Sequence, residues 1–459
     1  YFEVSVVCSC QQSQTHSTTP ILKSEVTHRR SLEMPNSWKS NVLGVIIRAW
    51  MFNSGFHDSL SDRVEISTPL NSWKRVIEGV YLHQRSQSPY EGDVFHETPT
   101  GLVFYSYLLK LDFNLLRAIF IFCDVLTALV LTEATRIFFQ DIVEDQQKKL
   151  KAYHKDAKQI TLKKEEVAKV PQYVTAAYLL NPYIVCSCVA MTTTVFANLI
   201  LSLTLLAMAK KSRVLSTCCL ALSSHQSFYP VMLVVPIAIA TAKEKQLIKS
   251  VFLTISSYAF FTALLLWFSY HSTGSWRFIE STYGCILKVP DLTPNIGLFW
   301  YFFTEMFDHF YLFFTYVFQL NPFIYVIPLA IRFDENVPLL SFTLCAIMAI
   351  FKSYPSIGDV GFYLALLPLW NHLVPFFRHS FIVGCIFLVT SVLSPILWYL
   401  WIYTGSANAN FFFATTLAFA TAQIFLLTDV LFAQAKYDYH LKHGIDLKIN
   451  GKEGMLVLE

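Results

Sequence analysis

The chain has 459 residues, a formal charge of only +3, and a composition of 54% hydrophobic, 16% aromatic and 15% charged residues. A water-soluble domain carries about 25% charged residues and roughly 45–50% apolar ones. The 40 Phe, 23 Tyr and 9 Trp exceed what a soluble core of this size takes up. Composition therefore excludes a disordered chain, a disulfide-stapled secreted scaffold and an ordinary soluble enzyme. The near-neutral charge removes the bulk electrostatic argument for nucleic acid. What remains is an all-α polytopic membrane protein.

Residues 1–33 are polar and mixed, and they lack the basic start, apolar run and small-residue cleavage site of a signal peptide. They are expected to form a non-native or disordered extension, with Met34 as the natural start. Residues 34–435 then form a multi-span membrane domain and residues 436–459 a tail. A bilayer core about 30 Å thick needs about 20 apolar residues per helix. Apolar runs follow one another at Val42–Phe56, Leu115–Glu133, Tyr173–Met191, Thr193–Ala209, Val214–Ser223 and Phe228–Thr241. They continue at Val251–Tyr270, His309–Ile331, Leu339–Phe351, Val360–Phe377, Phe381–Tyr403 and Phe411–Leu431. About twelve transmembrane helices are expected, several of them short enough to be half-buried or tilted.

Lys and Arg bias sets orientation. The stretch 136–170 carries eight lysines. Alternation puts Lys210, Lys211, Lys243, Lys245, Arg332, Arg378 and the tail on the same side, which is expected to be cytosolic with both termini. The opposite, luminal side receives loops 58–100, 271–304, 352–359 and 404–410. No Asn-x-Ser/Thr sequon occurs to report on this assignment.

Irregular backbone near a membrane is tolerated where it lines a cavity, and polar groups there are functional candidates. In the first luminal loop, Ser61-Asp62-Arg63-Val64-Glu65 places two carboxylates where they can hold a metal against a phosphate or act in acid/base work. The alternative is a solvated loop. In the second, Asp291 and Asn295 precede the aromatic stretch Phe299–Phe303 and can hydrogen-bond a sugar or phosphate, or cap a helix. In the last, Asn408 and Asn410 follow Thr404-Gly405-Ser406-Ala407 beside an aromatic wall. Their amides suit a glycan or phosphoethanolamine group, and a capped hairpin is the plainer reading. Lys243, Lys245, Lys249 and Arg332 form a basic group that suits an anionic phospholipid, against ordinary charge anchoring. His225, His309, His372 and His379 have no metal-ligand spacing. The ten cysteines show no CxxC–His arrangement. No metal site, cofactor, phosphate loop or nucleophile elbow is expected.

Several segments carry a resemblance. Arg63-Val64-Glu65, Ser72–Val76, Ser88-Pro89-Tyr90 and Phe95-His96-Glu97-Thr98-Pro99 resemble the first luminal loop of the phosphatidylinositol-glycan class U family. So do Tyr178–Tyr183, Val289–Phe303, Ile350–Pro355, Trp370–Leu373, Trp401–Phe412 and Met455–Leu458. The similarity runs from about Val42 to the C-terminus. It implies a non-catalytic subunit of the glycosylphosphatidylinositol (GPI) transamidase in the endoplasmic reticulum membrane. Its implied partners are a caspase-like catalytic subunit, three further membrane subunits and the GPI lipid.

The family is in turn similar to the GT-C mannosyltransferases, which carry an Asp-x-Asp type motif in this loop. Here an Arg occupies the middle and the spacing is Asp-x-x-Glu, so the cation is expected to pair with the carboxylates. The resemblance implies a transferase scaffold that has lost its metal–sugar donor site and kept its lipid-glycan cavity. GPI binding is then expected first at Asn408 and Asn410, and second at Asp291 and Asn295. The other classes in play are an active GT-C mannosyltransferase and a purely structural scaffold. The family begins with a long apolar helix. Here Trp38–Phe56 is short and carries Lys39 and Arg48, which points to a weakly embedded first helix or a misread start of the chain.

Overall fold

A computed structural model describes residues 4–7, 37–243, 246–445, 448–449, 452–453 and 455–458. Lys245 and most of residues 1–33 lie outside these described residues. Within 1–33 only the strand Val4–Val7 is described, antiparallel to Met455–Leu458. Residues 37–443 fold as helices joined by turns.

Outside the loop segment 58–100, the main helices are α1 (Ser37–Asn53), α2 (Phe113–Lys149), α3 (Glu166–Leu179), α4 (Pro182–Val189), α5 (Thr194–Ala209) and α6 (Arg213–Ser227). They continue with α7 (Leu247–Thr273), α8 (Asp308–Ile324), α9 (Val337–Phe351), α10 (Ile357–Leu366), α11 (Ser380–Ile402) and α12 (Ala409–His443). Their ends follow local chemistry. Asp112 caps α2 by accepting from the Asn114 N–H, and Lys148 and Lys149 close its last turn, where the carbonyl ends favour cations. The run read as one span over Tyr173–Met191 breaks at Asn181-Pro182. Asn181 accepts from the Tyr183 N–H and Pro182 takes the first helical position, starting a new helix. Gly274 ends α7 at φ +67°, a conformation that suits glycine.

Among the described residues six helical segments are long and apolar enough to cross a membrane: Phe113–Lys149, Leu247–Thr273, Asp308–Arg332, Ile357–Phe376, Ser380–Ile402 and Ala409–His443. The runs at Thr194–Ala209, Tyr229–Ala240 and Val337–Phe351 are shorter. A helix of 15 residues spans only about 22 Å at 1.5 Å per residue. Helix α9 is apolar for a different reason: every residue from Leu339 to Ile350 is buried. Its composition answers to protein neighbours and not to lipid. By contrast few residues of α7 and α11 are buried along their apolar windows.

Helix α1 is tied to its neighbours through its arginine. Arg48 is fully buried, with Nε and Nη2 2.7 and 2.6 Å from Asp124 Oδ2 on α2. Its Nη1 donates to the carbonyls of Gly44 and Leu179, at 2.9 and 2.8 Å. Tyr178 of α3 donates to the other Asp124 oxygen at 2.9 Å. A charge that local hydropathy marks as a defect is the bolt through α1, α2 and α3.

Contacts separate two ends of the molecule. At one, basic end, Lys149 meets Glu335 at 2.8 Å, Lys211 meets Asp141 at 2.8 Å, and the His154 N–H donates to the Leu441 carbonyl at 3.0 Å. A cleft of about 690 Å³ opens there between the ends of α2, α9 and α12. The irregular segments 58–100, 275–304, 353–357 and 404–410 gather at the other, loop end.

Candidate functional site

The loop end is built by cross-contacts among segments far apart in sequence. The Ile357 N–H donates to the Glu65 carbonyl at 3.0 Å. Arg277 pairs with Glu91 at 2.5 Å, and the Ser281 hydroxyl donates to the Tyr90 carbonyl at 3.0 Å. Val64, Trp300 and Phe412, one residue from each of three loops or loop edges, form one buried cluster. Trp398, Trp401 and Phe413 pack on it. Phe413 stacks on Tyr301 at 4.5 Å between centroids and meets Trp300 edge-on at 5.7 Å.

The two asparagines stand on the rim of this aromatic cluster. Asn408 is the N-cap of α12, and its Oδ1 accepts from the Asn410 and Phe411 N–H groups at 3.1 and 3.4 Å. Backbone N–H groups only donate, so the amide oxygen must face them. Asn410 Oδ1 accepts from the Tyr301 hydroxyl. Both side chains are exposed, and among the described residues no acceptor contacts either Nδ2. The capped-hairpin reading of Asn408 and the ligand reading therefore coexist in one amide: the oxygen caps, and the NH2 group faces outward. The Trp300 indole N–H beside them is buried without an acceptor, in a protein class where such donors normally find one.

Asp291 and Asn295 sit elsewhere on the same end. Asp291 binds Arg75 at 2.7 Å and accepts from the Thr293 N–H and hydroxyl at 2.9 and 2.5 Å. Burial pushes its carboxyl upward, but the Thr293 hydrogen bonds and the Arg75 charge outweigh that and hold it below the usual carboxylate range. Asn295 is buried, with Oδ1 accepting from the Gly297 N–H at 2.7 Å and Nδ2 donating to the Thr293 carbonyl at 3.2 Å. Its amide shapes its own loop. Beneath the first loop, burial raises the Glu97 carboxyl to about 7 against a hydrogen bond from Thr193.

The Asp62–Glu65 stretch is neutralised from within. Arg63 binds Glu65 through two nitrogens, at 2.9 and 3.2 Å, and Lys74 binds Asp62. Among the described residues no three His, Cys, Asp or Glu side chains gather where they could hold a metal ion. The eight cysteines there are free thiols. His225 lies between the Tyr283 and Ser269 hydroxyls at 2.6 and 3.1 Å, and His379 lies against Asp429 at 3.1 Å. Of the basic group, Lys243 and Lys249 are exposed before and within the first turn of α7, and Arg332 faces Asp438 across the cleft at 4.0 Å.

Sequence reasoning missed the Arg75–Asp291 and Tyr301–Asn410 partnerships. They join residues 216 and 109 positions apart, and no local pattern carries such a signal.

The class defined by fold and site is a many-helix membrane protein with a polar, aromatic-walled loop end. The family model described as GPI transamidase subunit PIG-U matches residues 42–419. The human GPI-anchor transamidase component PIGU is 43% identical over 430 residues, covering 91% of this chain and 98% of its own length. The GPI transamidase component GAB1 of Saccharomyces cerevisiae is 33% identical over 404 residues, covering 86% of this chain and 94% of its own. Its homolog in Schizosaccharomyces pombe is 29% identical over 417 residues, covering 89% and 97%. The chain belongs to the PIG-U family of GPI transamidase subunits.

Proposed function

We propose that this subunit holds the GPI lipid at the loop end and presents its glycan to a caspase-like catalytic subunit, contributing no nucleophile itself. The carrying observation is the pair of outward NH2 groups on Asn408 and Asn410, each fixed because its oxygen is engaged within the chain. Fixed donors at an aromatic wall suit the hydroxyl and phosphate oxygens of a glycan. Asp291 and Asn295 shape a second part of the same end. Holding the terminal phosphoethanolamine amine near an acyl-enzyme makes its attack effectively unimolecular, worth up to about 7–11 kcal/mol in ideal systems. The self-neutralised Asp62–Glu65 stretch supports a non-catalytic role.

In this reading the three shorter apolar helices, together with α1, α3 and α6, bring the six long spans to about twelve crossings of a GT-C-like scaffold in the endoplasmic reticulum membrane. The basic end and both termini face the cytosol. Lys243, Lys245, Lys249 and Arg332 hold an anionic phospholipid beside partner helices. Lipid mass spectrometry that finds unchanged lipid content after removal of those charges discards that last element.

Asn408→Ala/Asn410→Ala removes both donors. At about 0.5–1.5 kcal/mol per hydrogen bond, photocrosslinking of a GPI analogue to the assembled complex should fall by roughly 5- to 160-fold. Asn408→Asp keeps the helix cap and loses the donor, so it should weaken crosslinking without loss of assembly. Full anchor attachment by an assembled double-alanine variant refutes the assignment. Mannose transfer by the isolated chain would restore the transferase reading.

A further inference from the structure

At the basic end, the linker before α11 lays Arg378 on α12. The guanidinium carbon stands 3.2 Å above the Phe432 ring centroid. Lys436, one helical turn further along the same face, is half-buried with its ammonium 5.8 Å from the Phe376 ring. The two cations lie within repulsive reach of each other. Asp429, one turn before Phe432, does not relieve them. Its carboxylate accepts from the His379 backbone N–H at 2.7 Å and faces the His379 ring at 3.1 Å. Among the described residues no carboxylate comes within ion-pair distance of Arg378 or Lys436. An aromatic face attracts a cation but supplies no counter-charge. Ordinary charge anchoring uses separate, solvated cations, whereas here two are drawn together and one is half withdrawn from solvent. The adjoining turn of α11 exposes Phe381 and Ile382, at 82% and 53%, to whatever lies alongside.

We propose that Arg378 and Lys436 clasp the phosphate of an anionic lipid from the leaflet at the basic end, with its acyl chains along Phe381 and Ile382. The site uses cations other than Lys243, Lys249 and Arg332. It shares its chemistry with free phosphate, and the apolar strip beside it favours the lipid.

The assembled complex is reconstituted in phosphatidylcholine nanodiscs doped with phosphatidylserine, and bound lipid is quantified by mass spectrometry. Wild type should enrich the anionic lipid. Arg378→Gln/Lys436→Gln should weaken retention by about fivefold per charge, and Arg378→Lys/Lys436→Arg, which keeps both charges, should retain it. Should the double glutamine variant fail to assemble, Lys436→Gln alone is expected to show the single fivefold step. Equal retention by wild type and the glutamine variants, or no enrichment over phosphatidylcholine, overturns the proposal. Displacement of the lipid by millimolar inorganic phosphate overturns the lipid assignment in favour of a free-anion site.

Discussion

Tyr301 reaches the Asn410 amide only through its hydroxyl, while its ring stacks on Phe413. Tyr301→Phe keeps the stack and frees the amide to rotate. At about 0.5–1.5 kcal/mol for the lost bond, GPI crosslinking should fall two- to tenfold with assembly unchanged, as read by co-purification of partner subunits. Glu97 gives a pH signature. Its folded carboxyl titrates near 7, above its ordinary value of 4.5. The stability tied to its protonated form is therefore complete below about pH 4.5 and lost as pH rises through about 7. Glu97→Gln should match wild type near pH 4.5 and exceed it at pH 8, by up to roughly 3 kcal/mol. Thermal unfolding of the complex across that range checks the sign. Asn408 and Asn410 were legible as residue types on a tight turn. The inward commitment of their oxygens was not, because Tyr301 arrives from another loop.

Among elements, the bolt through α1, α2 and α3 is the least redundant. Arg48→Met leaves Asp124 buried and uncompensated, a loss of about 3–5 kcal/mol. Arg48→Met/Asp124→Leu should recover most of it. Melting temperatures of the two variants, taken side by side, decide whether the charge or the shape matters. Two segments mark where hydropathy misleads. Val337–Phe351 is apolar enough to read as facing lipid, yet it is buried against protein from Leu339 to Ile350. Tyr173–Met191 reads as one span, yet Asn181-Pro182 divides it. The second break had a local signal in the sequence. The first did not, because lipid and protein neighbours select the same apolar residues.

For the whole molecule, separation of the basic and loop ends follows from lysine bias, which was readable without coordinates. The sequence offered only the expectation that loops 58–100, 271–304 and 404–410 share a side, and not their meeting. An Asn-x-Thr acceptor placed in the 404–410 turn should be glycosylated in microsomes, and one placed within 155–160 should not. The reverse pattern inverts the orientation. The Arg48–Asp124 bond also bears on how the protein is made. The partners are 76 residues apart, and ribosomes add about 5–20 residues per second. The first helix thus emerges some 4–15 seconds before its counter-charge is synthesised. Over that interval a lone arginine opposes release into hydrocarbon. Arg48 therefore spends that interval without the Asp124 carboxylate that later neutralises it.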